Sequence, residues 1–132
     1  MLADRSGKSK DRNRILVVDD DLAMLRAIQR LLRQFDYEPI LFSSAQAFKG
    51  YTEFEKAACV ILDINLNGGS GIELMHHLND AGVAVPVIYI TGNEDLAVHR
   101  AALSSGCVAL LKKPFSTREL VETIVKASAG SL

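Results

Sequence analysis

Five short apolar blocks punctuate the chain, at positions 15–18, 38–42, 59–62, 87–90 and 108–111. Each is rich in Val, Ile or Leu and bounded by Asp, Gly, Ser or Pro, the pattern of a buried strand. Longer segments of helical period lie between them, so the chain reads as a βαβ succession. In the first such segment Leu22, Leu25, Ile28, Leu32 and Phe35 recur at steps of three and four and give one apolar face, with Asp21 placed to cap it. Ser70 with Glu73 and Ser116 with Glu119 carry the S-x-x-E spacing that opens a helix, and they mark the starts of the third and fifth. The second helix is expected over about residues 44–54 and the fourth over about 95–105, ended by Gly106.

The first, third and fourth blocks are nearly continuous apolar runs, as parallel strands covered on both faces require, whereas Pro39 assigns the second to an edge. This predicts an α/β fold: a doubly wound, five-stranded parallel sheet of order 2-1-3-4-5, flavodoxin-like, with five helices. Strands one and three are then neighbours across the topological switch point, where such sheets bind ligands.

The chain has 132 residues, 48% of them hydrophobic and 23% charged, enough to bury the core of one domain. Its apolar runs fall far short of the roughly 20 residues a bilayer crossing needs. The first residues lack the apolar stretch of a secretory signal, so a cytoplasmic location is expected, with no membrane partner. Residues 1–14 hold five basic and two acidic residues, a balance of +3, and the remainder carries −4. An acidic body gives no surface for direct nucleic-acid binding. The basic leader reads as a solvated tail. Cys59 and Cys107 lack metal-ligand or redox spacing and read as reduced core thiols.

The predicted topology delivers Asp19 and Asp20, after strand one, and Asp63, after strand three, into one crevice. Two carboxylates about 4 Å apart repel by roughly 4 kcal/mol at an effective dielectric near 20, so the cluster calls for a counter-charge. Hard oxygen donors without His or Cys nearby favour Mg²⁺. Helix capping accounts for Asp21 but not for the other three. Thr91 and Lys113, at the ends of strands four and five, should face the same crevice, and a hydroxyl and an ammonium beside a cation site suit a phosphoryl group.

The segments VVDDD at 17–21, LDINLNGGSGIEL at 62–74, ITG at 90–92 and KKPF at 112–115 together resemble the receiver domain of bacterial response regulators, the two-component signalling family. The resemblance covers nearly the whole chain. It implies a receiver over residues 14–127, between a flexible basic tail over 1–13 and a short tail over 128–132. It implies Asp63 as phospho-acceptor, Asp19 and Asp20 as the acidic pair, and a backbone carbonyl of Asn65 as a further Mg²⁺ ligand. Thr91 and Lys113 would contact the phosphoryl group, backbone amides of Ile64, Asn65 and Gly92 would cradle it, and the Lys113–Pro114 bond would be cis. The implied donor is a phosphohistidine on a sensor histidine kinase or phosphotransfer protein. The implied output is a switch of the face formed by helix four, strand five and helix five, read by a downstream effector or by self-association. Such a domain catalyses its own phosphorylation and dephosphorylation and is not otherwise an enzyme. Asp19, Asp20 and Asp63 with Lys113 sum to −2, which one Mg²⁺ cancels. A phosphoryl dianion on Asp63 then leaves roughly −1 and new acceptor oxygens near Thr91 and Lys113.

Two positions depart from the family pattern. Leu110 stands where the family's switch position usually carries Phe or Tyr, and Asn67, followed by Gly68 and Gly69, stands where Pro is common. His76, His77 and His99 read as solvated helix residues. The rival from another class is a haloacid dehalogenase-type phosphatase, since Asp19 and Asp21 form Asp-x-Asp after strand one. A flavodoxin-like mononucleotide binder shares the fold, and a constitutive docking receiver remains a further alternative. Only SAGSL follows Ala127, so the output, transcriptional control included, is expected to come from a separate or removed domain.

Overall fold

A computed structural model of the chain describes residues 12–129. Five parallel strands form the sheet: β1 (Arg14–Val18), β2 (Glu38–Phe42), β3 (Ala57–Asp63), β4 (Val87–Thr91) and β5 (Ala109–Lys112). Their order is β2-β1-β3-β4-β5, with β2 at one edge as Pro39 requires. Every residue of β3 and β4 is buried, which is why these segments have no polar alternation.

The helices are α1 (Leu22–Gln34), α2 (Ala45–Lys49), α3 (Gly71–Asp80), α4 (Leu96–Ser104) and α5 (Thr117–Ser128). On one face of the sheet, Leu25, Ile28 and Leu32 of α1 and Leu120 and Ile124 of α5 pack on Ile15, Val17, Ile61 and Ile90. On the other, Leu74 and Leu78 of α3 and Ala102 of α4 pack on Leu16, Val60, Leu62 and Tyr89. The ends of the α1 face differ from the periodic reading: Leu22 and Phe35 are exposed, because they fall at the helix start and just past its end.

Caps form where the sequence places them. Asp21 accepts from the Ala23 and Met24 amides, and Ser70 Oγ accepts from the Glu73 amide at 3.1 Å. Ser116 and Glu119 make both arms of a capping box. Gly106, at φ +102°, turns the chain after α4.

The second helix is shorter than expected. It stops at Lys49, and a 3₁₀ turn at Phe54–Lys56 follows, because Tyr51 and Phe54 fold back on Phe42 and Phe48 in edge-to-face contacts with centroids 5.1–5.7 Å apart. A small antiparallel ribbon, Asn65–Leu66 against Gly69–Ser70, also joins β3 to α3 where a plain loop is expected.

Both cysteines are free thiols. Cys59 is fully buried, and burial pushes its thiol up to about 12. The tail reading for residues 1–11 and 130–132 lies outside the described residues. Asn13, assigned to that tail, is tied to the sheet through its carbonyl, which accepts from the Glu38 amide at 2.9 Å, and α5 continues to Ser128.

Candidate functional site

The carboxyl ends of β1 and β3 bring Asp19, Asp20 and Asp63 together, with one oxygen from each lying within 4.8 Å of the others. Asp19 is fully buried and Asp63 nearly so. Lys113, just past β5, spans the cluster: its Nζ donates to Asp19 Oδ2 at 3.0 Å and to Asp63 Oδ2 at 3.1 Å. Three further oxygens, one on each carboxylate, accept from backbone amides. Asp21 N–H donates to Asp19 Oδ1 at 2.9 Å, Asn65 N–H to Asp63 Oδ1 at 3.1 Å, and Asn67 N–H to Asp20 Oδ2 at 2.7 Å.

The electrostatics follow from this crowding. Burial, then the Asp19 charge, pushes the Asp63 carboxyl up to about 6, although the hydrogen bond and charge of Lys113 pull the other way. Burial disfavours the Lys113 ammonium, but its hydrogen bonds to Asp19 and Asp63 outweigh that and hold it above its ordinary value. One cation facing three acids leaves the pocket with excess negative charge. An all-oxygen donor set of this kind fits a hard divalent cation such as Mg²⁺.

The other residues singled out in the sequence lie around this cluster. Thr91 is buried at the end of β4, one strand from Asp63, and its Oγ1 accepts from the Asn93 amide at 2.9 Å. Gly92 is exposed, with open space where a Cβ would stand. Leu110 is half-buried on β5 opposite Tyr89. The Lys113–Pro114 bond is cis.

One expected cradle amide is committed elsewhere: Ile64 N–H donates to the Ile90 carbonyl at 3.0 Å, extending the β3–β4 pairing. It is a sheet group here, bonded to the strand residue that pairs with Asp63 at the end of the β3–β4 register. Asp21 is likewise turned to the α1 cap: its Oδ1 accepts from the Ala23 and Met24 amides, and Asp19, Asp20 and Asp63 form the acidic cluster without it.

His76 and His77 are exposed, as expected, but His99 is not. It is buried, and its Nε2 lies 2.6 Å from the Asn93 carbonyl. His99 shares the buried face of α4 with Ala102, three residues on, but nothing in the sequence distinguishes it from a solvated helix histidine. Sequence reasoning also missed Gly71. A Cβ there would sit 2.4 Å from the Asp63 carbonyl oxygen, so only glycine lets α3 begin against the end of β3.

A flavodoxin-like sheet with a lysine-bridged acidic pocket at its switch point defines the class of this domain. Residues 15–125 match the family model described as the response regulator receiver domain, and the chain belongs to that family of two-component systems. It is 33% identical over 114 residues to nodulation protein W of Bradyrhizobium diazoefficiens, covering 86% of this chain and 50% of that protein. It is 33% identical over 110 residues to the response regulator protein TodT of Pseudomonas putida, covering 83% of this chain and 48% of that one. The chain thus spans about half the length of these relatives. Among solved structures, a CheY-like receiver domain protein from Methanospirillum hungatei superposes with a TM-score of 0.80 at 26% identity, covering 91% of this chain and 96% of that one. The response regulator StyR gives 0.82 at 30% identity, covering 89% and 60%. Among the described residues no helix is long and apolar enough to cross a membrane.

Proposed function

We propose that this receiver is a cytoplasmic phosphorylation switch in which Asp63 accepts a phosphoryl group from the phosphohistidine of a sensor histidine kinase or phosphotransfer protein. The observation that carries the reading is the buried cluster of Asp19, Asp20 and Asp63 bridged by Lys113 Nζ at 3.0 and 3.1 Å. In the transfer an Asp63 carboxylate oxygen bonds to phosphorus, the phosphorus–nitrogen bond breaks, and the imidazole leaves with that electron pair. Lys113 neutralises charge on the incoming group, and the Thr91 hydroxyl and the amides of Asn65 and Gly92 receive its oxygens. Asp19, Asp20, Asp63 and the Asn65 carbonyl would hold Mg²⁺, which when bound supplies charge neutralisation for the phosphoryl oxygens. Water later cleaves the acyl phosphate and restores Asp63. The domain therefore modifies itself and has no separate substrate to turn over. Its output is the α4–β5–α5 face, acting on an effector or a second copy. Transcriptional control through an output domain suits relatives twice its length, one of them named transcriptional regulatory protein FixJ.

The test is intact mass after incubation with Mg²⁺ and acetyl phosphate, beside Asp63→Asn and an EDTA-treated sample. One added phosphate in the metal-containing parent alone is the expected result. Equal labelling of Asp63→Asn would overturn the assignment of the acceptor.

A further inference from the structure

The loop after β4 is tied at both ends through one residue. Asn93 N–H donates to Thr91 Oγ1 at 2.9 Å, Asn93 Oδ1 accepts from the Asp95 amide at 2.7 Å, and the Asn93 carbonyl faces His99 Nε2 at 2.6 Å. A carbonyl only accepts, so Nε2 carries the proton and His99 is the donor. His99 is buried on α4, and its own amide donates to the Asp95 carbonyl at 3.1 Å within the first turn. A continuous chain of hydrogen bonds therefore runs from the Thr91 hydroxyl through Asn93 to the buried side of α4.

We propose that His99 is a positioning residue that anchors the Thr91 loop to α4 and transmits displacement of Thr91 to that helix. The proposal rests on the reading of Asp63 as phospho-acceptor and adds the route by which its state leaves the site. When new acceptor oxygens on Asp63 draw the Thr91 hydroxyl, Asn93 N–H loses its partner and the loop must shift to satisfy it. The far side of the loop is held by a short hydrogen bond from a side chain that packing confines, so the shift is passed to α4 rather than absorbed by solvent. Leu110 on β5 carries no ring or polar group to make a comparable link, so the bonded connections from Thr91 to α4 run through Asn93, to the Asp95 cap at the start of the helix and to His99 on its buried side.

The test uses ¹⁵N-labelled full chain with Mg²⁺ and beryllofluoride, a stand-in for the phosphoryl group, in the parent, His99→Gln, which keeps a donor, and His99→Leu, which does not. Beryllofluoride should move the Ile64 and Asn65 amides equally in all three proteins. The α4 amides and the His99 ring nitrogens should move in the parent, the α4 amides should move likewise in the Gln variant, and the α4 response should be at least halved in the Leu variant. An α4 response in His99→Leu equal to the parent's overturns the proposal. So does a His99 ring in the parent that is blind to beryllofluoride, a readout that stands even where His99→Leu fails to fold. No change at Ile64 and Asn65 in the parent instead sinks the Asp63 reading, and the inference with it.

Discussion

Asn67 makes a contact that the residue usual at its position could not. Its backbone N–H donates to Asp20 Oδ2 at 2.7 Å, and proline has no N–H to offer. The contact orients one of the pocket's carboxylates and holds the ribbon, with Asn65, over the cluster. Asn67→Pro should weaken Mg²⁺ binding by about three- to tenfold, the equivalent of one charge-assisted hydrogen bond partly lost. Asn67→Ala keeps the N–H and should leave affinity unchanged. Isothermal titration with Mg²⁺ distinguishes backbone from side chain, because equal losses in both variants would make the amide irrelevant. The same residue shows a limit of sequence reading. The sequence shows only that proline is absent; the amide this frees ties the loop down, because its acceptor is a residue 47 positions away.

At the scale of elements, the site depends on how closely α3 abuts β3. Gly71 begins α3 with its amide donating to the Ile64 carbonyl at 2.9 Å, and a Cβ there would collide with backbone rather than with a side chain that can turn aside. Gly71→Ala should therefore cost about 2 kcal/mol in chemical denaturation, within the range for overpacking a closed site, and it should disturb Asp63 as well. Gly50→Ala, whose Cβ meets only an ordinary contact at 3.6 Å, serves as the control and should stay within about 0.5 kcal/mol of the parent. Equal costs for the two would show that helix placement does not depend on Gly71. Helix starts were readable from Asp21, Ser70 and Ser116 because a cap is a local bond. The early end of α2 was not, because it is set by rings at Phe42, Phe48, Tyr51 and Phe54 that meet only after folding.

For the whole molecule, the pocket is a stability cost that a bound cation would relieve. The Asp63 carboxyl rises from 3.8 to about 6 on folding, so between those values the native state holds more proton than the unfolded chain. Its contribution is most favourable at the acid end of that window and is lost as pH rises through about 6. The metal-free parent should thus lose stability relative to Asp63→Asn as pH goes from 4 to 7, read as the difference in Tm between the two proteins. Adding Mg²⁺ at about 100 times its Kd should return about 2.7 kcal/mol, or about 10 °C in Tm, at pH 7.5. The gain should be much smaller at pH 5, where the proton competes for Asp63. A Tm difference that ignores both pH and Mg²⁺ would remove the electrostatic basis of the site.

Strand order, the edge position of β2, the helix caps and the gathering of acids at the switch point are all legible along the chain. Those features follow from hydrophobic period, from local bonds and from a topology that admits few solutions. It is the packed fold that turns His99 inward to the Asn93 carbonyl, commits the Ile64 amide to the sheet and requires glycine at position 71. Each of these depends on which groups from distant segments come within hydrogen-bond or van der Waals distance, and neither periodicity nor composition encodes that distance.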